Sequence, residues 1–237
     1  MPPLPKVLKK WLGDSYEYLG LVLMSSFIWF GITLSGIGLI VGLRSRPVLV
    51  IVLLAAHYVL IVSPLTAAVL NLAKSMVTRD EPSLLDLIRG FKEFLTASWM
   101  LGLVQLLLTL VIVVNAWFYL THGGIVIRIL GVLTTYVLIL WMMSAVYHFP
   151  ILIEQRPGTF RTIKRGFLLT LDNPGFTAGV FLAIILLTCF SVATLLGLPL
   201  LYMGMLGILE TRALRAVFVK YEILEPEKEY KPEDDAE

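Results

Sequence analysis

His57, Gln105 and Asn115 are the side chains in this sequence best placed to do chemistry in an unusual medium. Each interrupts a run of apolar residues long enough to cross a bilayer. Polar groups are costly in lipid, so they mark either a solute or proton path or a hydrogen bond to a neighbouring helix. His57 is ionisable, whereas Gln105 and Asn115 donate and accept without charge. The three form a candidate intramembrane polar site. The structural alternative at each is an imidazole or amide bonded across helices.

A second set, Arg89, Lys92, Arg161, Lys164 and Arg165, is a candidate docking face for a partner or for lipid headgroups. These cations sit on amphipathic segments between apolar runs. A third set, Gly31, Ser35, Gly38 and Gly42, forms one small-residue stripe along a helix. Such a stripe lets helices approach closely, either within the chain or in a homodimer through the first span. His148 and Glu154 flank Pro150 and read as solvated interface residues, the alternative being a polar cluster with the first cytoplasmic connection. Arg128 snorkels toward headgroups, and Trp99, Trp117, Tyr119 and Tyr147 read as an interfacial belt.

Other chemistries lack their residues. The chain has no Gly-x-Ser-x-Gly, no His-Glu-x-x-His, no P-loop and no Gly-x-Gly-x-x-Gly. Its one cysteine, Cys189, excludes a disulfide framework within one chain. No catalytic, cofactor or metal site is expected, and the chain reads as a non-enzyme. The expected partner is the bilayer, with other membrane subunits or a second copy beyond it, and nucleic acid is not expected.

The elements that carry these residues follow from composition. Of 237 residues, 58% are hydrophobic and 15% are charged; a soluble domain carries about 25% charged residues. That excludes both a soluble globular domain and a disordered chain. An all-α polytopic bundle is expected over residues 1–221, with six spans near 20–43, 47–70, 97–120, 125–149, 176–196 and 198–219. Residues 222–237 read as an acidic, solvated and disordered cytoplasmic tail. The break between the last two spans falls at Gly197-Leu198-Pro199. Glu210, Arg212 and Arg215 lie in the last third of the sixth span, so the alternative is five spans with a re-entrant or interfacial final segment. Charge decides for six: with an inside N-terminus, 16 of the 19 basic residues fall on the cytoplasmic side. Both termini are then cytoplasmic.

The two cytoplasmic connections resemble each other. Ser83-Leu84-Leu85-Asp86-Leu87-Ile88-Arg89-Gly90-Phe91 aligns with Thr159-Phe160-Arg161-Thr162-Ile163-Lys164-Arg165-Gly166-Phe167. Ser83 and Thr159 are N-cap types, and Ser83 with Asp86 resembles a capping box. Two interfacial amphipathic helices are expected, one after the second span and one after the fourth. The units run in the same direction, so the expected internal repeat is parallel and not inverted.

Ser63-Pro64-Leu65-Thr66-Ala67-Ala68, the connector Asp80-Glu81-Pro82, Phe91 and the apolar run after it resemble the YesL-like bacterial membrane proteins, a family defined by a domain of unknown function. The resemblance covers about Pro64 to Tyr119 and continues elsewhere in hydropathy. Ser63 and Leu65 depart from the family's Phe-Pro-Ala-Thr-Ala-Ala. Members are often encoded beside carbohydrate uptake and degradation systems. The resemblance therefore implies a bacterial inner-membrane protein linked to sugar uptake, with no established functional residues to carry over.

Overall fold

The computed structural model describes residues 2–42, 46–122 and 124–225. The described residues form helices and connections, with no strand among them. Helix α1 (Leu4–Glu17) precedes α2 (Leu19–Gly42). Next come α3 (Pro47–His57) and α4 (Ser63–Thr78), joined by a π-helical turn at Tyr58–Val62. They are followed by α5 (Leu84–Thr121), α6 (Ile125–Gln155), α7 (Thr159–Asp172) and α8 (Pro174–Thr194). A second π-helical turn, Leu198–Tyr202, leads into α9 (Met203–Lys220).

Five stretches are long and apolar enough to cross a membrane: Leu19–Gly36 of α2, Pro47–Thr78, Leu84–Thr121, Ile125–Gln155 and Pro174–Thr194. The molecule is an all-α, multi-pass membrane protein. The sixth expected span, 198–219, does not join them. Helix α9 is enclosed by protein: Trp11 Nε1 donates to the Met205 carbonyl at 2.8 Å, and Gly204 N donates to Ser26 Oγ at 2.9 Å. Gly207 faces Ala73 of α4. With Glu210, Arg212 and Arg215 in it, α9 is too polar for lipid and is solvated by other helices instead. It nevertheless runs back toward α1, and Lys220 reaches Asn173 Oδ1 at the α7–α8 junction.

Prolines set the local geometry. Pro64 has no N–H for the carbonyl of Leu60, four residues back. That carbonyl accepts from Trp99 Nε1 at 3.0 Å instead, and the helix opens into the π-helical turn just before Pro64. Trp99 thus braces a proline rather than serving only as an interfacial aromatic. Pro174 starts α8, where a missing N–H costs nothing, and so separates α7 from the span after it. No proline stands between Leu84 and Thr121, so the first amphipathic segment is not a separate helix. It continues straight into the span as a helix of 38 residues, about 57 Å long against a hydrocarbon layer of about 30 Å.

The capping box at the start of α5 forms as its sequence predicts: Leu85 N donates to Ser83 Oγ and Ser83 N to Asp86 Oδ2. Thr159 does not cap α7. Gly158 holds that position and Thr159 is the first helical residue.

The packed core lies at one end of the bundle. Its fully buried residues come mainly from α4 (Leu65 to Val77), the last turns of α6 (Tyr147 to Ile153) and α9. At the other end, α3, the second half of α5 and the first half of α6 expose Val48, Ile51, Val111, Trp117, Ile125 and Val126. In water such a surface would be ruinous, but lipid tails solvate it.

Candidate functional site

The three predicted polar residues do not converge. Asn115 Nδ2 donates to the Val111 carbonyl one turn back, at 2.7 Å, on an exposed face. His57 packs edge-on against Gly36 of α2, where an added Cβ would lie 2.8 Å from its Cδ2. Its Nε2 is buried without a hydrogen-bond partner among the described residues. Gln105 has a partner that sequence reasoning assigned elsewhere: its Nε2 lies 2.9 Å from Nδ1 of His148.

His148 is therefore not a solvated interface residue but fully buried. Its Nε2 is 3.4 Å from Ser144 Oγ, and that hydroxyl donates to the Trp141 carbonyl at 2.8 Å. The Gln105 amide nitrogen faces Nδ1 and the Ser144 hydroxyl faces Nε2, so both ring nitrogens have a polar neighbour. Gly166 of α7 makes the space, since a Cβ there would lie 2.6 Å from His148 Cδ2. One turn nearer the other end, Trp141 Nε1 donates to Thr109 Oγ1 at 2.8 Å. These bonds form a polar seam tying α5 and α6 to each other, with α7 against it. Beside it opens a cavity of about 370 Å³ lined by Tyr58, Gln105, Thr109, Trp141 and Phe149. An apolar wall with a few hydroxyl and amide groups suits a small uncharged or amphiphilic molecule.

The same packing recurs around α4. Gly90, in the Arg-Gly-Phe that aligns with that of Gly166, abuts Asn71, whose Cβ would be 2.7 Å from an added methyl. Asn71 lies eight residues before Arg79, and His148 eight before Arg156. Both arginines end their helices in the left-handed conformation, with φ of 60° and 51°. The signal in the chain is short: between Ala67-Ala68-Val69-Leu70-Asn71-Leu72 and Ser144-Ala145-Val146-Tyr147-His148-Phe149 only Ala-Val is shared, two residues before Asn71 and His148. Tyr147 likewise leaves the expected belt, being fully buried and 2.8 Å from Thr177 Oγ1.

All five residues of the predicted docking face are exposed. Arg89 lies 3.6 Å from Asp86, and Arg165 donates to Gln155. Lys92, Arg161 and Lys164 make no ion pair among the described residues. On α7 the buried face is the small one, Thr162, Gly166 and Thr170, while Phe160, Leu168 and Leu171 stay exposed beside the cations. The glycine stripe is likewise open. Gly31 and Gly38 meet nothing within 4 Å, and Ser35 Oγ bonds only back to Ile32. The surroundings of Gly42 lie outside the described residues.

No group of His, Cys, Asp and Glu that could hold a metal occurs among the described residues. No family model, curated protein or solved structure matches the chain. The class that fold and site define is a multi-pass α-helical membrane protein whose polar residues inside the bundle mainly join its helices.

Proposed function

We propose that this chain is a non-enzymatic accessory protein of a bacterial inner membrane, docked to a carbohydrate-uptake system through its basic end. The observation that carries this is α7. It packs through Thr162, Gly166 and Thr170, with Ile163 and Leu169 partly against the core, and leaves Arg161, Lys164, Phe160, Leu168 and Leu171 exposed for something outside the chain. The link to sugar comes from the YesL-like resemblance. The basic end is cytoplasmic in this reading, α8 and α9 form the last pair of crossings, and both termini face inward. The match between the Asn71–Gly90 and His148–Gly166 packing supports descent from a parallel duplication. The open stripe at Gly31, Ser35 and Gly38 supports a homodimer seam.

A second reading, a small-solute permease, is favoured by the cavity beside Gln105. Its site would be Tyr58, Gln105 and Thr109, and not the dispersed set His57, Gln105 and Asn115. Liposomes separate the two. An accessory protein transports no sugar alone and co-purifies with membrane subunits. That association falls at least about tenfold on charge reversal at Arg161, Lys164 and Arg165. Sugar uptake by the purified chain, abolished by Gln105→Leu, would overturn the accessory reading.

A further inference from the structure

The cavity beside the polar seam is lined by three polar groups whose bonding is incomplete. Gln105, 8% exposed, faces His148 through Nε2, and its Oε1 has no donor among the described residues. Tyr58 opens the π-helical turn before Pro64. Its ring lies over α5, with Cε1 3.8 Å from where a Cβ on Gly102 would be, and its hydroxyl bonds to nothing among the described residues. Thr109 is the third. Thr121, Thr134, Thr135 and Thr188 each donate to the carbonyl four residues back in their own helix. Thr109 does not. Its Oγ1 accepts from Trp141 Nε1, and its own proton has no acceptor among the described residues. One acceptor and two donors are therefore left over around a single cavity.

Position and composition restrict what can complete them. Gln105 stands 16 residues before the end of α5, about 24 Å along the axis, against a hydrocarbon layer about 30 Å thick. With Thr121 at the far boundary, the cavity lies inside that layer, just below its surface at the basic end. No charged side chain among the described residues lines it, so an ionised head would lose its water with no counter-charge in return. The mouth is apolar. Leu106 and the half-exposed Met142 stand on it, and Leu107 and Ile139 beside them are exposed on the lipid-facing surface. A molecule dissolved in the bilayer reaches this opening sideways. An uncharged glycerol ester meets every condition: its ester carbonyls accept, its free hydroxyl donates, and its chains belong in lipid.

We propose that this cavity binds an acylglycerol with a free hydroxyl, taken laterally from the bilayer. The hydroxyl donates to Gln105 Oε1, the ester carbonyls accept from Tyr58 and Thr109, and the acyl chains pass between Leu106 and Met142 into the leaflet. The site is independent of the accessory role. It gives the cavity a different occupant from the water-borne solute of the permease reading.

The full-length protein, in phosphatidylcholine liposomes, is exposed to dioleoylglycerol carrying a diazirine on one acyl chain beside the ester. After illumination the labelled residues are mapped by mass spectrometry, with unlabelled lipids as competitors. Label is expected within 103–109 and 139–145. Unlabelled dioleoylglycerol removes it at concentrations at least about tenfold below those of dioleoyl phosphatidic acid, which is charged, or trioleoylglycerol, which has no hydroxyl. Tyr58→Phe deletes a hydroxyl that the chain itself does not use and weakens binding about fivefold. Ala145→Phe fills the cavity with every polar group kept and abolishes the competed label. Asn115→Leu, on an exposed face of α5, leaves it. Helicity and elution volume of these variants stay unchanged. Label that does not saturate, equal competition by the three lipids, or undiminished binding to Tyr58→Phe overturns the proposal. Displacement by glycerol or glucose added to the aqueous phase assigns the cavity to a water-borne solute, which favours the permease reading and rejects a lipid.

Discussion

At the scale of residues, the strongest constraints are close approaches and one buried ion pair. Arg212 and Asp14 are 8% and 4% exposed. Removing one partner leaves the other charge desolvated, so Asp14→Asn is expected to cost about 3–5 kcal/mol. Replacing both, as Asp14→Leu with Arg212→Met, is expected to recover most of that loss, because no charge is then stranded. Unfolding of the purified protein in graded dodecyl sulfate measures both. The glycines sort in the same assay. Gly102→Ala puts a methyl 2.5 Å from Ser63 Oγ, whose hydroxyl donates to the Ser98 carbonyl. Gly166→Ala puts one 2.6 Å from His148. Each is expected to lose about 1–3 kcal/mol by overpacking. Gly175→Ala, with open space around it, is expected to stay within about 0.5 kcal/mol of the parent. The sequence marks all three glycines alike; only the facing helix separates them.

Elements raise a different question, namely where a helix stops. Composition places every long apolar helix, since an uninterrupted apolar run leaves the backbone no partner but itself in lipid. Ends are set more locally. Pro174 divides α7 from α8, whereas no proline divides Leu95 from Ala97. Two segments that read alike in sequence thus become a separate amphipathic helix and the first turns of a 38-residue one. The bond from Trp99 to Leu60 follows from Pro64, and a double-mutant cycle tests that dependence. Trp99→Phe is expected to cost about 1 kcal/mol more when Pro64 is present than in Pro64→Ala. In the alanine chain, the restored N–H takes the Leu60 carbonyl. Equal costs in the two backgrounds would show the indole bond to be incidental.

For the whole molecule, orientation is the property to measure. In a Cys189→Ser background, a cysteine at Gly124 is expected to react with an impermeant thiol reagent from outside. One at Asp80 is expected to react only after the membrane is opened. The reverse pattern rejects the inward basic end, and with it the docking role of α7. A homodimer through α2 predicts a different result. Gly31→Leu with Gly38→Leu should leave the monomer's stability unchanged, since nothing among the described residues packs there, yet lower the dimer fraction in analytical ultracentrifugation. An unchanged fraction removes the seam.

The chain alone determined the membrane class, five helices long and apolar enough to cross, the helical character of 159–172 and the capping box at Ser83. These follow from composition, from hydropathy over about twenty residues, and from hydrogen bonds closed within a few residues of each other. Tertiary structure decided the rest. Gln105 and His148 are 43 residues apart, and Asp14 and Arg212 are 198 apart. No periodicity reports which face of one helix meets which face of another. The sixth expected span shows the limit most plainly. Its charges are intolerable beside lipid yet harmless beside Asp14 and Glu154. Whether α9 is solvated by lipid or by protein therefore depends on where α1, α4 and α6 lie, which only packing decides.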